Sequence, residues 1–240
     1  MFVDDPKNED RSGDGKLHPS AISGCERNAI YSSRGEPVSN PRDVRFTRIM
    51  GNGTDYHIKL QAYLKATMPG IILEPAVRWG PITGHGDALL PVAPDGDEAW
   101  EYDLHGDWYE LQEYKSISPN GKRYIAGTKT RTLKSGEVKL GREAAPKDEH
   151  VLQTRIYHYG LTKMGRRMTD TIRILYIDRD DWSTLEFEVA PWTEEEGSEY
   201  LEHMAELEAH LLDGTLPDQQ PDDYWLCKMC AYRTTCKGWE

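Results

Sequence analysis

The stretch WYELQEYKSI, residues 108–117, decides the fold. Apolar and polar residues alternate along it, which predicts a β-strand from Trp108 to Ile117. Strand side chains point to opposite faces in turn, so Glu113 and Lys115 share one side and Tyr114 faces the other. A carboxylate and a lysine so placed put a metal ligand beside a cation. Upstream, ITGHGDALL (82–90) puts Asp87 on the preceding strand, followed by the small Ala88. If the two strands are neighbours, Asp87 and Glu113 converge. Hard ions such as Mg²⁺ and Mn²⁺ take oxygens of that kind, and a peptide carbonyl can supply one more. Taken singly, each acid reads as a surface residue. Gly84 and Gly86 fall inside the same predicted strand, where glycine weakens pairing, so a ligand or a backbone is expected to approach closely there. His85 lies two before Asp87 on the same expected face.

Working outward, a short helix is expected over 20–33, after Pro19 and Ser20. A longer one is expected over 49–66, with Ile49, Ile58, Leu60, Ala62 and Leu64 apolar and the tripeptide MPG as its stop. Residues 76–92 read as strands broken at Gly80–Pro81, and 93–107 as an acidic, turn-rich loop. Past the central strand, 128–140 reads as a hairpin around Ser135–Gly136 or as a mobile arm. A helix follows over 148–164, with Asp148 as cap and Gly165 at the exit. Strands are expected over 170–178 and 184–190. Thr193 with Glu196 forms a capping box for a helix to about Leu212, closed by Gly214 and Pro217. This order predicts a mixed α/β domain.

The 240 residues fit one domain, expected over 18–240, with 1–17 as a disordered tail. The chain is 38% hydrophobic and 29% charged, with a net charge of −12. Its charge is unevenly spread. Residues 115–147 hold nine Lys and Arg against Glu137 and Glu143, a net +7, which leaves −19 elsewhere. A basic segment on an acidic body is an electrostatic footprint for nucleic acid, or else a solvated loop. No apolar run is long enough to span a bilayer, and the start lacks the pattern of a secretory signal. The expected location is the cytoplasm. Thiols stay reduced there, so clustered cysteines point to metal or redox chemistry. Four exist: Cys25, then Cys227, Cys230 and Cys236 within YWLCKMCAYRTTCKGWE (224–240).

GHGD (84–87) and EYK (113–115) resemble the core of the PD-(D/E)XK nuclease superfamily. GNGTDYHIKLQAYL (51–64) is similar to the helix that carries a metal-binding histidine in RecB-like nucleases, here His57. QTRIY (153–157) is similar to their Q-x-x-x-Y helix motif, as Gln153 and Tyr157, four apart on one helical face. One early cysteine with a terminal C-x-x-C-x5-C resembles the iron–sulfur branch: Cas-four exonucleases, AddB-type nucleases and phage relatives. The motifs run in the family's order from Ser20 to Cys236.

The resemblance implies a restriction-endonuclease-like α/β core and a metal-dependent deoxyribonuclease, most simply an exonuclease on single-stranded or end-bearing DNA. It makes Asp87, Glu113, Lys115, Gln153 and Tyr157 catalytic. It assigns Mg²⁺ or Mn²⁺ to His57, Asp87, Glu113 and the carbonyl of Tyr114. Plain helix packing is the alternative for Gln153 and Tyr157. Cys25, Cys227, Cys230 and Cys236 would hold a 4Fe-4S cluster joining 18–35 to 222–240, with a four-cysteine zinc site as the alternative. Residues 116–147 depart from the pattern as a longer basic insertion, and Lys122, Arg123, Lys129, Arg131 and Lys134 are its candidate DNA contacts. The implied partners are DNA and a recombination or CRISPR-type protein. The implied setting is a bacterial, archaeal or phage-infected cell. A partner-dependent endonuclease and a non-catalytic DNA-binding module remain as other readings of the same residues.

Overall fold

A computed structural model describes residues 12–41, 43–93, 107–132, 134–135 and 137–238. Chain contacts divide it into two compact units.

The larger unit, 48–77 with 85–192, is built on a five-stranded sheet in the order β1-β4-β5-β8-β9. Its strands are β1 (Ile72–Leu73), β4 (Ala88–Val92), β5 (Trp108–Ile117), β8 (Arg167–Asp178) and β9 (Thr184–Val189). Only β5 and β8 run parallel, so the sheet is mixed. A parallel pair needs a crossover. Here it carries α4 (Pro119–Ile125), the β6–β7 ladder (Arg131–Thr132 with Val138–Lys139) and α5 (Asp148–Lys163). One face of the sheet packs Leu89, Leu111, Ile172, Ile174 and Tyr176 against Tyr157 and Leu161 of α5. The other packs Ala88, Leu90, Tyr114 and Ile177 against α3 (Val44–Thr67) through Tyr56, Leu60 and Leu64. Burial on both faces explains why the second half of β8 is apolar beyond strict alternation.

The smaller unit gathers 1–47, 78–84 and 193–240. It holds α1 (Pro19–Ile22), α2 (Glu26–Arg34), α6 (Glu194–Asp213), a 3-10 turn at Trp225–Met229 and α7 (Arg233–Lys237). Between β1 and β4 the chain also forms a hairpin of β2 (Ala76–Trp79) and β3 (Ile82–His85).

Several boundaries differ from expectation for local reasons. The first helix breaks at Gly24–Cys25, so Cys25 stands at the start of α2 rather than inside a helix. On α3 the inward stripe is Tyr56, Leu60 and Leu64, at helical spacing; Ile49 and Ile58 face outward. Lys147, not Asp148, precedes α5; Asp148 and Glu149 sit in its first turn, where carboxylates suit the helix dipole. Gly86 and Asp87 lie between β3 and β4, not within a strand, so His85 and Asp87 share no strand face. A Cβ on Gly86 would meet Leu111 Cδ1 at 3.1 Å, so core packing rather than a ligand requires that glycine. The expected tail is shortened at its inner end: Leu17 is fully buried and bridges Ile82. Residues 1–11 lie outside the described residues, as do 94–106 of the expected acidic loop and Gly136 of the expected hairpin turn. The capping box at Thr193 and Glu196 forms, and Gly214 closes α6 at φ 76°.

Candidate active site and cysteine pocket

The site in the larger unit lies at the first residue of β4. Pairing of β4 with β5 ends at Ala88 opposite Gln112, while β5 runs five residues further. Asp87, one residue past that end, uses Oδ2 to accept the Tyr114 backbone N–H at 2.7 Å, filling the place a longer strand would take. This fixes Asp87 beside the Glu113–Lys115 segment. Glu113, Lys115 and α5 lie on one side of the sheet, where Gln153 joins them.

Lys115 Nζ donates to Glu113 Oε1 at 2.8 Å and to Gln153 Oε1 at 2.9 Å. Gln153 Nε2 also donates to Glu113 Oε1, at 3.1 Å, and to the Tyr157 hydroxyl at 3.4 Å. Gln153 therefore holds both ends of the Glu113–Lys115 pair, and its helical spacing to Tyr157 adds a fourth member. His57 comes in from α3: Nδ1 stands 3.5 Å from Asp87 Oδ1, and its ring interacts with the Tyr114 backbone. Asp87, Glu113, His57 and the Tyr114 peptide thus converge.

The electrostatics are those of a dry site. Burial lifts Asp87 to about 6, with Glu74 adding to the rise against Lys115 and the Tyr114 amide. Burial and the Asp87 charge lift Glu113 to about 7 despite Lys115. Burial alone would lower Lys115, but Glu113 and Asp87 hold it above its ordinary value, so it stays an ammonium. Burial, helped by Lys115, lowers His57, which leaves a neutral imidazole with a lone pair to offer. Glu113 Oε2 is buried with no hydrogen-bond partner among the described residues. A buried carboxylate oxygen left bare costs free energy that a ligand can recover. The donor set, two carboxylates, a neutral imidazole and a carbonyl, fits a hard divalent ion. Among the described residues, no three His, Cys, Asp or Glu side chains are grouped, as they stand, to hold a single ion.

Sequence reasoning missed Glu74. Its backbone N–H donates to the Asp87 carbonyl at 2.9 Å, its carboxylate accepts from Gln61 at 2.7 Å, and its charge raises both Asp87 and His57. Glu74 sits at φ 49° immediately before Pro75, a conformation unusual for a non-glycine residue. The Glu-Pro pair was the available signal, but only strand pairing places it beside Asp87. His150 was also missed: its Nδ1 is 2.8 Å from the Tyr176 hydroxyl, and burial, with Lys115 and Lys147, drives it down to about 3.

The basic insertion is not one surface. Lys122 interacts with Ser183, and its Nζ stands 3.8 Å from Asp178 Oδ2, so it already has partners within the unit. Arg123, Lys129 and Lys134 are exposed. Arg131 lies in β6. Arg142 stacks over Tyr124, 4.3 Å from the ring centre. His85 is exposed and ends β3.

In the smaller unit, Cys25, Cys227, Cys230 and Cys236 line one pocket, a narrow one of about 20 Å³, with Arg27 and Lys237 on its wall. None is in a disulfide. Local contacts bring the two chain ends together there. Tyr224 donates its hydroxyl to the Gly24 carbonyl at 2.6 Å, and Asn40 exchanges side-chain bonds with Thr234 at 2.8 and 3.1 Å. Arg27 Nη1 lies 3.8 Å from Cys236 Sγ, and the Tyr232 amide donates to Cys230 Sγ at 3.4 Å. Burial raises the Cys25 thiol, and the nearby Cys230 and Cys227 raise it further.

A mixed five-stranded sheet flanked by helices, with this site at the start of β4, fits a restriction-endonuclease-like core. The family model described as the PD-(D/E)XK nuclease superfamily matches residues 124–237, somewhat under half of the chain, and supports that superfamily. The matched stretch takes in Gln153, Tyr157 and the three late cysteines. His57, Asp87, Glu113, Lys115 and Cys25 fall before it. Among solved structures, the one titled "Crystal structure of SSO0001" is similar in fold, with 16% identity and a TM-score of 0.51, over 93% of this chain and 86% of that one. No curated protein matches. No helix among the described residues is long and apolar enough to cross a membrane.

Proposed function

We propose that the chain is a metal-dependent DNA nuclease, acting as an exonuclease on single-stranded or end-bearing DNA in recombination, repair or phage DNA processing. The carrying observation is the bare, buried Oε2 of Glu113 beside Asp87 and the Lys115 ammonium. Asp87, Glu113, His57 and the Tyr114 carbonyl would hold Mg²⁺ or Mn²⁺. Such an ion supplies an activated water and neutralises charge growing on the phosphate. Lys115, kept protonated by its two carboxylates, stabilises negative charge on the phosphoryl oxygens rather than taking a proton. Gln153 fixes the lysine's direction, and Tyr157 steadies Gln153.

The four thiols would hold a 4Fe-4S cluster. The support for that reading is that all four thiols line one pocket, the early one with the three late ones. Closing so long a chain loop is where a cross-link removes most entropy. DNA is the proposed partner, with a recombination or CRISPR-type protein as a second.

The test pairs linear and circular single-stranded DNA with Mn²⁺ and protein purified without oxygen. Linear DNA is expected to be degraded and circular DNA spared, with Lys115→Ala inactive but folded. Activity retained in Lys115→Ala overturns the site; cutting of circles overturns the exonuclease reading. Iron assayed on the same protein should approach roughly four per chain. One zinc and no iron overturns the cluster alone.

A further inference from the structure

Trp182 is the anomaly of the larger unit. It is 46% exposed and sits at φ 60°, a left-handed backbone conformation that is strained for a large aromatic residue. The loop joining β8 to β9 holds it there. The Trp182 N–H donates to the Asp178 carbonyl at 3.0 Å, and the Asp178 N–H to the Ser183 carbonyl at 2.9 Å. Asp180 and Ser183 amides add bonds to Asp178 Oδ1 at 3.0 Å and Asp181 Oδ1 at 2.9 Å. The ring stacks on Tyr56, centroids 4.5 Å apart and planes at 28°. Tyr56 is in turn pinned, its hydroxyl donating to the Arg179 carbonyl at 2.6 Å and its ring packed against the core beneath α3. A rigid loop thus spends backbone strain to present one indole on a fixed aromatic backing.

Beside Tyr56 opens a concavity of about 400 Å³, lined by Asn52, Asp55, Lys59, Ser118, Arg179 and Asp180. Its wall mixes cations with carboxylates and amide or hydroxyl groups. Asp55 and Asp180 oppose a phosphate, whereas the same mixture of donors and acceptors suits the edge of a heterocycle. The position is also telling. Tyr56 precedes His57, and Ser118 follows Lys115 by three residues, roughly 10 Å along an extended chain.

We infer that Trp182, backed by Tyr56, is a stacking platform for an unpaired nucleobase of the bound strand, near the scissile position, with that base's edge over the polar concavity. This rests on the nuclease reading above. A paired base hides its face and its Watson–Crick edge, so the platform selects single strands or frayed ends. Base-on-aromatic stacking is tolerant of sequence.

The experiment titrates wild type, Trp182→Ala and Trp182→Phe with a 20-nucleotide oligothymidine, with the same strand carrying one abasic site, and with a blunt duplex. Binding is read in chelator and cleavage in Mn²⁺, with thermal melts on each protein. Trp182→Ala should weaken single-strand binding about five- to hundredfold, the range for one stacked base. Trp182→Phe should keep most of it, duplex binding should change little, and an abasic site at the platform's register should add no further loss to Trp182→Ala. Unchanged single-strand binding in a folded Trp182→Ala, while wild type cleaves, overturns the platform and leaves the nuclease standing. Trp182-dependent binding with no cleavage by wild type on any of these DNAs overturns the nuclease and leaves the platform. Equal losses on single strand and duplex, or no gain in Trp182→Phe over Trp182→Ala, overturn the stacking role.

Discussion

Strand β5 buries two glutamates, and it treats them in opposite ways. Glu110 and Glu113 are 4% and 2% exposed, three residues apart on the same strand. Glu110 has both oxygens satisfied: Oε1 accepts from Gln112 at 2.8 Å and Oε2 from Arg173 Nε at 2.8 Å. Arg173 goes on to Glu186 and, at 3.1 Å, to Glu188, a cross-strand cluster over β5, β8 and β9. Glu113 has one oxygen shared by Lys115 and Gln153 and one oxygen bare. A protein that can neutralise one buried carboxylate fully and leaves its neighbour half served has kept the second for something else. On the proposed nuclease reading, the satisfied Glu110 serves structure and the unsatisfied Glu113, beside a retained cation, serves chemistry.

The largest expected effect is at the unsatisfied glutamate. Glu113→Gln should cut Mn²⁺-dependent cleavage by at least about a hundredfold, the scale for losing one preorganised electrostatic group. Its effect on stability should have the opposite sign. Glu113 is raised from 4.5 to about 7, so its charge opposes folding. That cost is absent below about 4.5, where the group is protonated in both states, builds as pH rises from there to about 7, and is full above it. Metal-free Glu113→Gln should therefore unfold later than wild type at pH 8, by about 1–3 kcal/mol, and equal it near pH 4. The upper figure is trimmed because Lys115 loses a charged partner. The same protons compete with metal. Calorimetric affinity for Mn²⁺ should fall at least about tenfold between pH 7.5 and 5.5, as Glu113 and then Asp87, at about 6, take protons. Denaturation curves in which Glu113→Gln is weaker than wild type at pH 8 would erase the contrast with Glu110.

Glu110→Gln should behave in reverse. Arg173 loses a buried charged acceptor but keeps two partly exposed ones, so about 1–3 kcal/mol of stability should go, at pH 8 and in either metal state. Cleavage per folded molecule should hold within about twofold, since Gln112 ties this cluster to the Tyr114 hydroxyl at 2.8 Å, and not to the carboxylate of Glu113 or the Lys115 ammonium. A hundredfold loss of cleavage in a folded Glu110→Gln would mean the two glutamates act as one unit.

This contrast was half legible in the sequence. Alternation along 108–117 predicted β5 and put Glu113 and Lys115 on one face, because that periodicity belongs to the chain itself. The capping box at Thr193 was readable for the same reason: its two bonds span three residues. What was not readable depends on pairing. Where β4 begins, and hence that Asp87 fills the gap at Tyr114, follows from register with β5. Glu74 reaches the site only through the β1–β4 edge, and the DNA candidate Lys122 also meets Ser183 and Asp178, because α4 folds back toward the end of β8. Charge counted along a sequence cannot see which cation already has a partner. Gly86 misled in the same way, since the atom it makes room for belongs to Leu111, 25 residues on.

The smallest effect separates the two residues of the helix motif. Gln153 touches both members of the reactive pair, at 2.9 and 3.1 Å, and Gln153→Leu should lower cleavage about tenfold or more by freeing Lys115, as loss of an orienting partner does elsewhere. Tyr157 meets Gln153 at the longer distance of 3.4 Å, while its ring is 3% exposed and packed with Leu89 and Leu111 in the core. Tyr157→Phe keeps that ring and removes a long hydrogen bond, so stability should drop by about 0.5 kcal/mol and cleavage by less than about threefold. The split tests how the site is layered. If Tyr157→Phe matches Gln153→Leu in cleavage while melting like wild type, the hydroxyl acts on the substrate itself and not through Gln153. If instead Gln153→Leu is as mild as Tyr157→Phe, Glu113 alone is enough to aim Lys115, and the helix contributes packing rather than position.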